Sequence, residues 1–210
     1  MSALLLSAHE ARVLACLVEK GITTPAYYPM TANGLMAAAN QKSSRSPVLT
    51  LTEGEVGQAL ITLEEKGLVS RDDLSSRATK WRHKFQHQLL LKKETLAILA
   101  TLMLRGPQTP AELRANGAAL GASGEAEGVL EGLNDLADRA SALVVQLARA
   151  PGQSAARWAH LLCGEPPAAA AGEAEEAFSP SPSRARLEAR IAALEARVEQ
   201  LGARLAAVGG

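Results

Sequence analysis

Of the chain's 210 residues, 47% are apolar but only 3% aromatic, so a core must be assembled from Leu, Val, Ile and Ala, which favours packed helices over a large sheet. The 22 basic and 22 acidic residues cancel, which excludes coating of nucleic acid by bulk charge while leaving room for a local basic patch. Cys16 and Cys163 lie too far apart to suggest a disulfide framework or a zinc spacing, the apolar stretch 3–6 is too short for a signal peptide, and no run approaches a membrane span, so a cytoplasmic location is expected.

The first predicted element is a helix ending near Gly21, with Val13, Leu14, Leu17 and Val18 as its apolar stripe. Thr24-Pro25 reads as an N-cap followed by Pro at the first helical position, and a further start is available at Thr31, after Pro29. Thr52, with Glu55 three residues on, forms a capping box for a third helix, striped by Val56, Leu60 and Leu63 and closed by Gly67. Then the period changes. Residues 68–71 read as a strand, 72–76 as a turn and 79–85 as a return strand, on which Trp81, His83 and Phe85 share one face and Lys80, Arg82 and Lys84 the other.

The order then repeats. At an offset of 85, Ile98, Leu99, Leu102 and Met103 reproduce the first stripe, Gly106 falls on Gly21, and Thr109-Pro110 falls on Thr24-Pro25. A shift of 70 sets Leu130 and Leu133 on Leu60 and Leu63, predicting a helix over about 123–138. Strands over 142–148 and 155–162 flank a Pro151-Gly152 turn, and Arg157-Trp158-x-His160 echoes Lys80-Trp81-x-His83. Three helices and a hairpin, twice over, predict a mainly α fold with small β-hairpins (α+β): tandem winged helices over 1–88 and 89–163. Residues 164–183, rich in Ala, Glu, Pro and Gly, read as a flexible linker. Beyond them Leu187, Ile191, Leu194, Val198, Leu201, Leu205 and Val208 keep a heptad seam, predicting a helix over 184–208. It either pairs with a second chain as a coiled coil, giving a homodimer through 187–208, or folds back on its own domain.

Several residues of the first copy carry a resemblance. Glu10-Ala-Arg-Val13, Glu19-Lys20, Thr23-Thr24-Pro25, Tyr28-Pro29, Asn33, Asn40-Gln41-Lys42, Arg45 and Pro47-Val48 resemble the YceH family of bacterial proteins. Residues 77–83 and 104–114 fit the same family, whose resemblance implies tandem winged helices and no assigned biochemical role.

Winged helices commonly place their third helix in the major groove of DNA. Here that helix offers Glu53, Glu64 and Glu65 against a single Lys66, and its second-copy counterpart offers Glu125, Glu127, Glu131, Asp135 and Asp138, which repel phosphates. Two other places suit double-stranded DNA better. The polar run before the third helix supplies Asn40, Gln41, Lys42, Ser43 and Arg45, and the wing supplies Arg77, Lys80, Arg82 and Lys84. The bland readings are that the Asn side chains cap helix ends and that the wing lysines only solvate an edge. Catalysis, a cofactor and a metal are not expected: the chain has no phosphate loop, no metal-spaced His/Glu pair and no nucleophile with a base. His83 and His160, at matching strand positions, read as packed residues, and Cys16, on the first helix, reads as a semi-buried inert thiol, with a redox-sensing thiol as the alternative. Two functions stand: a DNA-binding regulator using wing and polar loop, and a protein-interaction module presenting its acidic helices to an unidentified protein partner.

Overall fold

Ten consecutive residues of one helix, Glu10 to Glu19, are buried, and so are ten of another, Thr95 to Leu104. A helix enclosed on all sides lies at the centre of its domain, and these two, α1 (Ala8–Thr23) and α5 (Lys93–Arg105), pack against each other where the two copies meet. The predicted stripes account for one face of each. Their other faces carry small residues, Ala11, Ala15 and Cys16 on one and Ala97, Ala100 and Thr101 on the other, and these are equally buried.

The computed structural model describes residues 4–72, 78–149, 153 and 155–166. Arg77, the Pro151-Gly152 turn, nearly all of the expected linker and the heptad helix over 184–208 lie outside the described residues. Those described belong to one compact unit, Met1–Ala174, with a continuous apolar core running through both copies.

In the first copy α1 is followed by a 3-10 turn (Pro25–Tyr27), β1 (Met30–Thr31), α2 (Ala32–Ala39), α3 (Glu53–Glu65), β2 (Val69–Asp72), β3 (Lys80–His83) and a short α4 (Phe85–Gln88). In the second, α5 leads to α6 (Pro110–Gly117), a 3-10 turn (Ala118–Leu120), α7 (Ala126–Ala137), β4 (Val144–Gln146) and β5 (Trp158–His160). The sheets are antiparallel, ordered β1-β3-β2 and β4-β5, so the fold is α+β.

Local chemistry explains most boundaries. Capping boxes open α1 (Ser7 with Glu10), α3 (Thr52 with Glu55) and α6 (Thr109 with Glu112). Gly67, at φ 71°, lets the chain turn out of α3 into β2.

The repeat needs a different register from the one the sequence suggests. Helix α1 runs past Gly21 to Thr23, and Thr24 makes no N-cap bond, its hydroxyl donating back to the Lys20 carbonyl of α1 at 3.1 Å; Thr31 caps α2, accepting from the Gly34 amide at 3.2 Å. The partner of Thr109 is therefore Thr31, at an offset of 78, while the central helices remain at 85. The first copy thus carries seven additional residues, around 24–30. Met30 facing Trp81 and Gln108 facing Trp158 confirm the match. The third helices also shift: Val56, Ala59, Leu60 and Leu63 correspond to Val129, Gly132, Leu133 and Leu136, an offset of 73 rather than 70, and Leu130 is 43% exposed. A helical face recurs every three to four residues, so neighbouring leucines satisfy either shift until packing decides. The first copy therefore has a second insertion, five residues longer than the corresponding link, between α2 and α3.

Candidate nucleic-acid interface

Both first-copy insertions matter to the candidate surface, and they behave in opposite ways. The link from Asn40 to Leu51 turns inward. Asn40 spans it, donating from Nδ2 to the Leu51 carbonyl at 2.8 Å and accepting the Leu51 amide on Oδ1 at 2.7 Å. Arg45, expected to meet phosphate, is 6% exposed. Its guanidinium grips both oxygens of Glu19 on α1, at 3.1 and 2.6 Å, and also donates to the Ala38 carbonyl and to Gln41 Oε1. Burial is the largest influence and opposes the Glu19 charge, but the hydrogen bonds and positive charges of Arg45 and Lys20 together outweigh it, holding the carboxyl below its ordinary range. Arg12 ties the same link from below, donating to the carbonyls of Ala39 and Pro47 at 3.2 and 2.7 Å.

The link also reaches the second copy. The Ser46 amide donates to the Leu104 carbonyl at 2.9 Å, and Arg105 donates to Ser44 Oγ at 2.7 Å. Asn40, Gln41 and Arg45 are thus occupied within the link and against α1 and α2, Ser44 and Ser46 reach α5, and Lys42 and Ser43 alone of the predicted loop residues are exposed. Of the loop half of the expected interface, Lys42 and Ser43 thus stand at the surface, while the rest of the polar run is consumed by carbonyls and one carboxylate, which would otherwise be left without partners.

The return strand is shorter than expected, ending at His83 with Phe85 opening α4, yet the burial pattern along 80–85 still alternates. Trp81 and Phe85 are buried and His83 half-buried, while Arg82 and Lys84 are exposed and Lys80 half-exposed on the other face. Arg82 is tied to Asp72 across the hairpin, Nε to Oδ2 at 2.8 Å, and lies over the Tyr28 ring at 5.8 Å. No ion pair engages Lys80 or Lys84 among the described residues. Burial, aided by His87, pushes His83 down to about 4, and burial alone does the same to His160, so both rings are neutral at pH 7. Cys16 is fully buried and its thiol is pushed up to about 11 by that burial, a setting without thiolate reactivity.

The other insertion turns outward. Its 3-10 turn sits beside β1 and β3, and together they border a groove of about 480 Å³ whose lining includes Lys20, Tyr27, Thr31 and Lys80 and no carboxylate. A second groove, beside α7, is lined by Glu94, Glu131 and Asp135 against one lysine, Lys92, and repels phosphate. Tyr27 and Lys20 are absent from the sequence-predicted set. The signal that could have found them is an aromatic framed by Pro25 and Pro29 in a chain with only two tyrosines. The outward positions of α3, Glu53, Gln58, Ile61 and Glu65, carry no cation, in keeping with the expectation against base reading by that helix. Among the described residues no three His, Cys, Asp or Glu side chains converge as a metal site would require.

A family model described as "Protein of unknown function, DUF480" matches residues 6–153. The chain belongs to this family. The DUF480 match contains α1 through β4 and both first-copy insertions. Similar relatives are UPF0502 proteins. That of Geobacter metallireducens is 44% identical over 185 residues, 88% of this chain and 82% of its own. That of Geobacter sulfurreducens is 44% identical over 196 residues, 91% of this chain and 87% of its own. That of Albidiferax ferrireducens is 48% identical over 159 residues, 74% and 69% of the two chains. The expectation of a bacterial family without an assigned biochemical role is met.

Proposed function

We propose that this DUF480 protein is a non-enzymatic DNA-binding protein of two tandem winged helices, which meets the duplex backbone through the wing of its first copy. The observation that carries the reading is the wing's outer side, where Lys80 on β3 and Lys84 just beyond it form no ion pair among the described residues, and where Lys80 borders a groove that no carboxylate lines. Lys42 adds a further exposed cation. Arg82 contributes less, because Asp72 already neutralises it. Such a strip provides phosphate contacts and little base reading, so binding should be salt-sensitive and weakly selective. The heptad spacing over 187–208 supports pairing of two chains, which would double the contacts by effective concentration. Residence in the cytoplasm follows from this reading. Independently, no helix among the described residues is long and apolar enough to cross a membrane.

The test is titration of a fluorescent random-sequence duplex at several salt concentrations with the wild-type chain and a Lys80→Ala/Lys84→Ala variant. Loss of two phosphate contacts flattens the dependence of log K on log salt by about 0.9 per contact. Unchanged affinity at fixed salt would remove the wing from the interface. A second reading, docking of a basic protein partner, is favoured by one observation: α7 turns Glu127, Glu131 and Asp135 outward around Leu130, itself 43% exposed. Capture of a basic partner that is lost on Glu127→Lys/Glu131→Lys would support it.

A further inference from the structure

Five aromatic side chains lie among the described residues besides the histidines, and four are committed to packing. Trp81, Trp158 and Phe85 are buried, and Tyr28 is wedged between the wing and α1. Tyr27 alone of the five stands in solvent, 80% exposed. It does so on a fixed base. The Tyr27 amide donates to the Thr24 carbonyl at 3.0 Å and the Tyr28 amide to the Pro25 carbonyl at 3.2 Å, closing the turn. Tyr28 then anchors that turn to the wing: its hydroxyl accepts the His83 amide at 2.7 Å, and its ring lies against Gly21, where a β-carbon would come within 3.3 Å.

The position is specific to one copy. The turn belongs to the seven residues that the first copy has and the second lacks, and it stands beside the strand that carries Lys80. Lys20, at 3.3 Å from Glu19, and Lys80 flank the same groove as Tyr27. A rigid, outward aromatic beside a cation is the arrangement that receives a base with its phosphate: the ring stacks on the base and the Lys80 ammonium meets the backbone, Lys20 being held by Glu19. A fully paired duplex offers such a ring no open base face, because its bases are stacked on one another. An unpaired nucleotide offers one.

We propose that Tyr27 is a stacking platform for an unpaired base adjoining the duplex, so that the protein prefers DNA with a single-stranded overhang to blunt DNA. The inference rests on the DNA-binding reading above and names the form of DNA that the site selects. Stacking on one base is worth about a tenfold gain in affinity.

The experiment compares the full chain on a blunt duplex and on the same duplex carrying a short thymidine overhang at either the 3′ or the 5′ end. The expected result is tighter binding of one overhang by about tenfold, a fall of the overhang-to-blunt affinity ratio to about one in Tyr27→Ala, and retention of the preference in Tyr27→Phe. Equal affinity for blunt and overhanging DNA overturns the inference and leaves the wing reading standing. So does a preference that survives Tyr27→Ala. Absence of binding to every duplex, at low salt, overturns the wing reading and this inference with it. The high exposure of Tyr27 keeps the variants folded, and a circular dichroism melt checks that they are.

Discussion

Replacing Arg45 by Ala separates a structural arginine from a DNA-contacting one. The substitution removes both hydrogen bonds to Glu19 and those to the Ala38 carbonyl and Gln41, leaving a carboxylate whose side chain is 11% exposed without its main partner. Deleting one member of a buried ion pair costs about 3–5 kcal/mol. Lys20, 3.3 Å from the same carboxylate, retains part of the compensation, which places the expected loss near the lower end, about 3 kcal/mol. With a urea m-value of about 2 kcal/mol/M, the midpoint should fall by about 1.5 M. The pair also sets an acid limb. Glu19 is held below its ordinary range in the folded chain, so its contribution is fully present above the unfolded carboxyl value of about 4.3 and is lost as pH falls through the folded value. Wild type and Glu19→Gln should therefore differ most near pH 7 and converge at low pH, in urea titrations followed by circular dichroism. An Arg45→Ala variant that loses less than about 1 kcal/mol, yet binds DNA many-fold more weakly, would refute the reasoning.

Three further outcomes follow from the packing. His83 and His160, both at about 4 against 6.5 unfolded, bind protons more readily in the unfolded chain, so stability is full above about pH 6.5 and declines as pH falls toward 4; the loss reaches about 3 kcal/mol for each, and His160→Gln should flatten the midpoint-versus-pH curve over that window. Gly106 closes α5 at φ 73°, ψ −160°, a conformation essentially reserved for glycine, and Gly106→Ala should cost about 1–3 kcal/mol in the same assay although the space around it is open. A thiol reagent should label Cys163 promptly in the native chain and Cys16 only after urea is added; equal labelling rates would mean that α1 opens far more readily than its burial implies.

The helices and hairpins were legible because their signals are local. The capping box at Thr52, the N-cap at Thr109, glycine at 67 and 106, and the switch from helical to alternating period at Leu68 each depend on a few neighbours in the chain. The alternating faces of β3 were legible for the same reason. Register between the copies was not, since Thr24-Pro25 and Thr31 are both acceptable caps, and Leu130 and Leu133 are both acceptable partners for Leu60, until burial selects between them.

The sequence by itself determined most secondary elements (though not α4 at Phe85–Gln88), their twofold order and the grouping of Lys80, Arg82 and Lys84, all written in residue type and short spacing. Only the tertiary structure decided which charges are free. Arg45 and Lys42 are three residues apart in one polar run, yet one is locked to Glu19, 26 residues earlier in the chain, and the other is exposed. A long-range ion pair leaves no local mark: its energy comes from excluding water around two groups that the fold, and not the spacing, brings together.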